Sequence, residues 1–426
     1  MLGPDEPRYA AVGRAMAVSG DWVTPRLWGL PWFEKPALLY WMTAIGFRAG
    51  LGEDLAPRLP VALLSLGFVL FFAWRVRREF GDGAAGFATV MLATSALWLG
   101  YSHVAVFDLP LAATLGACML LVMGEKRTLP EMAAAGALLG AAMLSKGLVG
   151  CVLFVPALWR LRRDWKQIAL IAATASVVAA PWYVLVIVQN GPAFVDEFFW
   201  KQQFSRFTSP ALLHVRPIWF YLPVMLAGFF PWTPLSIVLW RERSLFRDPR
   251  LQFLLAWLLW GLAFFSLSLN KLPGYVLPLL PALAALVGIG LQARQTPCRG
   301  LFALCGAWVW LFPVAGRMLP AVLLHGLSHV KFESSPLWIV PAAASAILAW
   351  RQESHGRRGT AVGTIAGFVT VCVVGIVLQT YPVLDRTISA RDYWQKHPAT
   401  GCSTEINRGW RYSLNYYAQR DLPLCK

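Results

Sequence analysis

Long apolar runs alternate with short polar stretches along most of the chain. Runs such as PRLPVALLSLGFVLFFAW and AVGTIAGFVTVCVVGIVLQTY approach the ~20 apolar residues with which a helix crosses a bilayer. Unbroken runs of this length are typical of spanning helices, whereas the strands of a membrane β-barrel alternate over short segments. The pattern predicts an all-α polytopic membrane protein with about twelve spans. The predicted spans are 57–74, 84–101, 108–123, 132–144, 148–158, 167–188, 218–240, 251–267, 273–291, 301–314, 337–350 and 361–381.

The first 54 residues combine charges with two short helical patterns. Tyr9, Val12 and Met16 follow helical spacing, and EKPALLYWMTAIGF is too short to span comfortably, so we expect two amphipathic helices lying on the membrane surface. Three regions follow from the pattern: a first extramembrane loop (1–54), the helix bundle (55–381) and a tail (382–426). The opening MLGPDEPRY lacks the apolar core of a signal peptide, and we expect the genomic sequence upstream to encode a further spanning helix.

Composition and charge placement set the orientation. The chain is 57% hydrophobic and 14% charged, against ~45–50% and ~25% in soluble domains. Its net charge of +16 lies mainly in one set of loops, which holds 18 Lys and Arg residues against 7 in the opposing set. The positive-inside rule makes the first set cytoplasmic, so the loop 1–54 and the tail 382–426 lie outside. Because topology explains the basic residues, they do not indicate a nucleic-acid partner.

Charged side chains on the outer side are the candidates for chemistry, since the orientation rule already explains those inside. A ring of cations with a few carboxylates at one membrane surface suits an anionic lipid headgroup. These residues are Asp5, Glu6, Arg8, Glu34, Lys35, Asp108, Lys146, Lys201, Arg206, His214, Arg216 and Lys271.

Each candidate also has a simpler interpretation. Asp5 and Asp108 each stand two residues before a proline, and either could be a helix cap, a general base, or both. Lys146 could be a turn lysine that reaches the headgroups, and Tyr275 could belong to an interfacial aromatic belt. His214 could be an interfacial histidine. On their own these signals do not decide between the alternatives.

Several motifs together resemble one family. PDEPRYAAVGRAMAVSGDWVTPRLWGLPWFEKPALLYW resembles the first periplasmic loop of the ArnT-like glycosyltransferases, relatives of the dolichyl-phosphate-mannose protein mannosyltransferases with the GT-C fold. FDLPL, LSKGLVG, FFWKQQFSRF, HVRPIWFY and FFSLSLNKLPGYVLPLLPALAAL resemble later motifs of the same family, so the likeness covers about residues 4–290. Members have a spanning helix before the first loop, which makes thirteen in the complete pattern. Trp32 replaces a tyrosine of the family motif, and the outer C-terminal domain is short.

The resemblance implies a bacterial inner-membrane enzyme with a periplasmic active site. It implies transfer of a sugar from a polyprenyl-phosphate donor to an anionic lipid or envelope glycan; the named type adds 4-amino-4-deoxy-L-arabinose to lipid A phosphates. Attack opposite the leaving phosphate would invert the anomeric centre. By similarity the catalytic acids are Asp5 and Asp108, the donor-phosphate ligands are Arg8, Lys35 and Lys146, and Glu34, Lys271 and Tyr275 lie in the same cavity. Glu6, Arg206 and His214 are added as cavity residues because they belong to the same set of outer charges.

Three further expectations concern a metal, the tail and the competing function. No cofactor is required, although Glu34 and His214 could hold a divalent metal. Cys402 and Cys425 share the outer tail, where an oxidising compartment favours a disulfide over two free thiols. The alternative function is a transporter or flippase of polyprenyl-linked sugars. That alternative predicts charges buried within spans and repeated halves with broken helices, and the sequence has neither pattern.

Overall fold

Helices make up most of the protein. The structure, a computed structural model, describes residues 1, 3–205, 215–326, 339–403 and 407–425. The α-helices are Asp5–Ser19, Leu38–Arg48, Gly52–Phe80, Asp82–Ala93, Ala96–Tyr101, Asp108–Met123, Leu129–Lys146, Val149–Leu153, Val155–Leu161, Trp165–Asn190, Pro192–Phe194, Tyr221–Gly228, Ile237–Arg241, Pro249–Leu267, Leu280–Ala293, Arg299–Trp308, Leu311–His325, Ile339–Ser354, Arg358–Thr387, Arg391–Lys396 and Arg408–Ala418. A π-helix covers Val195–Ser205, and 3₁₀ turns cover Ile218–Phe220, Thr233–Ser236, Arg243–Arg247 and Pro273–Leu279.

Two helices form the centre of the bundle. Asp108–Met123 buries every residue after Asp108, and Leu280–Ala293 is buried almost throughout. Both helices are apolar on all sides, which is typical of a helix surrounded by protein. The helix Trp165–Asn190 buries one side only, so its other side is available to lipid. The central helices therefore fix the outer end of Asp108–Met123, where Asp108 lies.

Six helices in the described ranges are long and apolar enough to cross a membrane, or seven if one bent pair is counted. This makes the chain a multi-pass membrane protein. Several predicted spans differ from single straight helices. The predicted span 218–240 is wrong as one helix, because its two halves, Ile218–Gly228 and Thr233–Arg241, meet at 112°. Pro231 and Pro234 lie at the bend, and a proline lacks the N–H that continues a helix.

The predicted spans 84–101, 148–158 and 301–314 also differ from the structure. The first breaks between Asp82–Ala93 and Ala96–Tyr101, and the second breaks near Phe154. Tertiary contacts stabilise the first break: Trp232 donates a hydrogen bond to Thr94 Oγ1 (2.9 Å), and Ala96 N–H donates to the Phe230 carbonyl (2.9 Å). The third span is longer than predicted, since it continues to His325.

Of the two short helices of the first loop, one packs inside the protein, whereas Leu38–Arg48 buries one face and leaves Ile45 60% exposed. Helix Asp5–Ser19, called the first helix below, buries residues around most of its circumference and packs against Leu38–Arg48 and Arg408–Ala418. The prediction of an amphipathic helix with one lipid-facing side is therefore wrong for it, because protein covers more than one face. Between the two helices lies a small hairpin, Arg26–Leu27 with Leu30–Pro31, which the sequence pattern did not predict.

The tail forms a small folded unit. Helix Arg408–Ala418, called the C-terminal helix below, packs with Arg391–Lys396 around Ala390, Leu414 and Leu422. Cys402 and Cys425 are joined by a disulfide, with their Cα atoms 5.0 Å apart. Ser403 and Leu424 form a bridge next to it. The disulfide and the bridge thus close the segment 402–425 at its base.

This disulfide gives a direct prediction. Peptide mapping without reduction, on protein whose free thiols are alkylated at lysis, should recover a peptide pair linked through Cys402 and Cys425. Closing a loop of this length stabilises by about 3 kcal/mol in the chain-entropy model, so the linked form should dominate in an oxidising compartment. Recovery of both cysteines in alkylated form, with no linked peptide, would contradict the prediction.

Candidate functional site

A cavity of about 260 Å³ opens among the candidate residues. Lys35, Lys146 and Tyr275 line it together with Ser268 and Asn270. The remaining lining is mostly apolar or amide: Leu148, Val149, Val152, Gln202, Gln203, Phe204, Phe264 and Phe265. The cavity therefore combines two ammonium groups with a largely apolar wall, called the apolar channel below. That combination suits a ligand with an anionic group on a long apolar chain.

One half of the site is built around Asp108. Lys146 Nζ lies 2.6 Å from Asp108 Oδ1 and 4.5 Å from the centroid of the Tyr275 ring. Asp108 is the first residue of its helix and Lys146 the last residue of Leu129–Lys146, so two helix ends meet here. The helix cap is Phe107, not Asp108, and the carboxylate is directed to the lysine instead.

The other half is built around Arg8. Its Nη1 donates to Glu34 Oε2 at 3.0 Å, its Nη2 donates to Asp5, and its Nε donates to the Pro4 carbonyl at 2.9 Å. Lys35 Nζ lies 3.7 Å from Glu34 Oε1. Asp5, like Asp108, is the first residue of its helix, after the cap Pro4, so the capping interpretation is wrong for both acids. The two halves together hold three carboxylates and three cations.

Tyrosines surround this charge cluster and connect its halves. Tyr101 lies close enough to both Asp5 and Asp108 to interact electrostatically with each. Tyr9 donates a hydrogen bond to Glu34 Oε1 at 3.4 Å. Burial and then the nearby Glu34 carboxylate raise the pKa values of Tyr9 and Tyr40 well above the usual range, so both phenols remain neutral. Burial lowers the pKa of Arg8, but Glu34, Tyr9 and Asp5 together outweigh that effect and the pKa rises.

Three predicted cavity residues, Glu6, Glu34 and Lys271, are not among the residues that line the cavity, and neither are Asp5, Arg8 and Asp108. Glu6 is buried and accepts hydrogen bonds from Arg58 Nε and Nη2, both at 2.7 Å, which ties the first helix to Gly52–Phe80. Lys271 is 3% exposed and donates to the carbonyls of Ser268 and Arg216. Its role in the structure is to brace the loop that carries Ser268 and Asn270. Arg206 and His214 lie outside the described residues.

A divalent metal held by Glu34 and His214 has little support from the described residues. Within those ranges no three His, Cys, Asp or Glu side chains come together in a metal-binding arrangement. Glu34 contacts Arg8 and Lys35, and two cations beside a carboxylate disfavour a divalent cation at the same oxygens. His214, the other suggested ligand, falls in a range that is not described. The described side chains therefore do not fit a metal, and no chemical step is assigned to one.

Several residues of the site were missed by the sequence reasoning. Gln202 and Gln203 line the cavity and belong to FFWKQQFSRF, where only the charged residues had drawn attention. Tyr101 ends an apolar run and carries no local signal of its own. Trp32 and Tyr412 place their ring centroids 5.6 and 5.2 Å from Arg8 Cζ, which only the three-dimensional structure brings together.

Comparisons with known sequences give the same family as the motifs. Residues 2–196 match the family model of dolichyl-phosphate-mannose-protein mannosyltransferases. The chain is 34% identical over 70% of its length to undecaprenyl phosphate-alpha-4-amino-4-deoxy-L-arabinose arabinosyl transferase 2 of Pseudomonas fluorescens. This match spans 53% of the length of that protein. It is 32% identical over 90% of its length to the arabinosyl transferase of Pseudomonas paraeruginosa, of which the match spans 73%.

Solved structures agree with the sequence matches. ArnT from Cupriavidus metallidurans bound to undecaprenyl phosphate superposes with a TM-score of 0.78 at 27% identity, over 99% of this chain and 81% of that one. The archaeal oligosaccharyltransferase AglB from Archaeoglobus fulgidus shares the fold alone, with a TM-score of 0.50 at 13% identity. These relatives are transferases, which favours an enzyme over the transporter alternative. The chain belongs to the ArnT-like family of membrane glycosyltransferases.

Proposed function

We propose that this enzyme transfers a sugar from a polyprenyl-phosphate donor to a lipid A-type or other envelope acceptor. The observation that carries the proposal is the cavity in which Lys35 and Lys146 stand beside an apolar channel. The two ammonium groups suit the donor phosphate, and the channel suits the first isoprene units. The relatives named above use undecaprenyl phosphate carrying 4-amino-4-deoxy-L-arabinose, which makes that sugar the first donor to test.

In the proposed reaction the bond between the sugar's anomeric carbon and the phosphate oxygen breaks. Negative charge then develops on the leaving polyprenyl phosphate. Lys35 and Lys146 stabilise this charge, because preorganised cations aimed at a developing anion lower the barrier strongly. Arg8 is also assigned to the phosphate by similarity. Since it donates to Pro4, Asp5 and Glu34 and does not line the cavity, we assign it the indirect role of holding the carboxylates of Asp5 and Glu34.

The acids act on the sugar and the acceptor. If the acceptor is a hydroxyl, Asp5 or Asp108 accepts its proton while its oxygen bonds to the anomeric carbon. If the acceptor is a phosphate, no proton need be removed, and the acids stabilise the positive charge that develops on the sugar. Asp5 is the better placed to meet an incoming acceptor, because its side chain is 43% exposed against 17% for Asp108. Attack from the face opposite the phosphate inverts the anomeric configuration.

The membrane arrangement belongs to the same proposal. The loop distribution of Lys and Arg supports a site on the periplasmic side of a bacterial inner membrane. We propose twelve crossings in this chain and thirteen in the complete family pattern, counting the short and broken apolar helices as spans. The division into a first periplasmic loop (1–54), a helix bundle (55–381) and a periplasmic tail (382–426) follows from that count.

The test is a reconstituted transfer assay. Purified protein in liposomes should convert undecaprenyl-phosphate-linked 4-amino-4-deoxy-L-arabinose and lipid A into sugar-modified lipid A, detected by mass spectrometry. The matched inactive protein is Asp108→Asn, which keeps the shape of the side chain but removes its charge.

A second arm of this experiment covers other acceptors. Lipid A and envelope glycans from a deletion strain are compared by mass spectrometry with those from the strain complemented with wild type or Asp108→Asn. Loss of one modified species, restored by wild type alone, identifies the acceptor. The proposal is overturned if no lipid or glycan changes and no polyprenyl-phosphate sugar is consumed in liposomes.

A further inference from the structure

The C-terminal helix is anchored on the first loop by its tyrosines. Tyr416 donates to the Glu53 carbonyl at 2.7 Å, and Tyr417 donates to Asp54 Oδ1 at 3.1 Å. The Tyr416 ring also stacks on Arg14, with Cζ 4.4 Å from its centroid. These contacts fix the position and rotation of the helix against the first helix. The disulfide between Cys402 and Cys425 encloses the same helix.

Tyr412 lies one helical turn before Tyr416 and therefore shares its face. Its ring centroid is 5.2 Å from Arg8 Cζ, within the range of a cation–π contact. Arg8 is 6% exposed at its side chain, and the Trp32 ring lies 5.6 Å from the same carbon. Carboxylate and carbonyl oxygens thus accept hydrogen bonds from the guanidinium nitrogens, while the rings of Tyr9, Trp32 and Tyr412 pack within 5.8 Å of the central carbon.

The guanidinium determines where two carboxylates point. Its nitrogens donate to Asp5 and Glu34 within one rigid plane, so a rotation of that plane would move both carboxylates together. The hydrogen bonds leave the plane able to tilt, and rings packed around its central carbon oppose the tilt. The Tyr412 contact therefore restrains the carboxylates without touching them.

We propose that Tyr412 is a positioning residue of the active site, which acts through Arg8 on Asp5 and Glu34. The proposal rests on the glycosyltransferase function proposed above. It assigns a catalytic contribution to the tail, whose C-terminal helix packs against the first helix. The aromatic ring of Tyr412, and not its hydroxyl, restrains Arg8, since the ring supplies both the packing surface and the negative face that attracts the guanidinium.

The experiment compares three single variants in the reconstituted assay. Tyr412→Leu should lower kcat on the order of tenfold, as expected for losing a partly desolvated cation–π contact, while KM for the donor stays within about twofold of wild type. Tyr412→Phe keeps the ring and should retain kcat. Trp410→Leu, on the same helix but packed against Tyr393 at 5.2 Å, is the matched control and should also retain kcat.

A second measurement does not depend on activity. Phenylglyoxal modifies accessible guanidinium groups, and peptide mapping gives the rate at each arginine. The rate at Arg8 should rise several-fold in Tyr412→Leu, with the rate at Arg14 unchanged because Tyr416 still covers it. A global loss of folding would raise both rates, which separates it from the local effect.

The outcomes are distinguishable from failure of the proposed function. If wild type transfers no sugar but Arg8 becomes reactive only in Tyr412→Leu, the proposed function is wrong and the restraint on Arg8 stands without a catalytic consequence. If wild type is active and Tyr412→Leu matches it in kcat, Tyr412 does not position the site. Equal losses in Tyr412→Leu and Tyr412→Phe, or in Trp410→Leu, would likewise overturn the proposal.

Discussion

Replacing Lys35 by alanine is expected to slow sugar transfer on the order of 100-fold or more, comparable with the loss of one preorganised donor to a developing charge. Lys35 lines the cavity and its side chain is only 13% exposed, so water screens its charge poorly. Among the described residues, the other lysine that lines the cavity is Lys146, which is held against Asp108 at 2.6 Å and cannot take the place of Lys35. The charge of the leaving phosphate would then be stabilised by one ammonium group instead of two.

The effect should appear mainly in kcat, since the negative charge on the bridging oxygen grows during the reaction. Lys35 is a cleaner target than Lys146, whose removal would also release Asp108. The control is Arg77→Ala, which removes a 68% exposed arginine paired with Asp82, in a loop that the positive-inside rule predicts to be cytoplasmic. Such surface pairs contribute little, and turnover should stay near normal. Equal losses in the two variants would show that membrane topology, and not chemistry, explains these charges.

The long helices were predictable because their signal is local. The run 108–123 was predicted with the boundaries that the structure gives, Asp108–Met123. An acid followed by a proline marks its start, and an apolar run followed by Gly124 marks its end. Leu251–Leu267 and 361–381 likewise lie within the observed helices Pro249–Leu267 and Arg358–Thr387. In each case the hydrophobic run itself specifies the element.

Broken and bent segments were not predictable in the same way, because distant contacts determine them. The bend within 218–240 is stabilised by Trp232 and Phe230, which pair with Thr94 and Ala96 at the break of another predicted span. No pattern inside either run indicates that the two breaks meet. The amphipathic prediction for the first helix failed for the same reason: its second buried side packs against the tail, about 400 residues away in the sequence.

The site was predictable in composition but not in arrangement. Grouping the outer charges brought together Asp5, Glu34 and Asp108 with the cations that they contact in the structure. Glu6 was placed with them on charge alone, yet adjacent residues on a helix point about 100° apart. Since Asp5 faces Arg8, helix geometry directs Glu6 elsewhere, and it pairs with Arg58. The tyrosines around the cluster come from separate elements and only tertiary structure reveals them.

Gly274 allows the closest backbone approach in the site. A Cβ atom there would lie 2.6 Å from the Tyr101 hydroxyl and 2.8 Å from both Cγ and Oδ1 of Asp108. Real Cβ atoms do not approach other atoms so closely, so one of the neighbours must move. Tyr101 ends in a rigid ring, and the backbone of Asp108 belongs to a helix that is buried beyond its first residue. The carboxylate is the part that can rotate away, and Lys146 would lose its partner at Asp108 Oδ1.

Gly274→Ala is therefore expected to lower kcat on the order of 100-fold, since a displacement of about 1 Å at a catalytic group can cost that much. The matched control is Gly67→Ala, in helix Gly52–Phe80, where a Cβ would meet nothing within 4 Å. Alanine favours a helix over glycine by about 1 kcal/mol, so this control should keep wild-type turnover and equal or greater thermal stability.

Both variants are measured in liposomes with undecaprenyl-phosphate-linked 4-amino-4-deoxy-L-arabinose, after their melting temperatures are compared in detergent. A Gly274→Ala protein that melts close to wild type but has lost turnover would place the defect at Asp108 and not in folding. The same protein with full turnover would mean that Asp108 tolerates displacement, and the catalytic role would then fall to Asp5.

Combining Gly274→Ala with Asp108→Asn separates these cases further. If the glycine acts through the carboxylate, the double variant should be no slower than Asp108→Asn alone, because residues that act as a unit have non-additive effects.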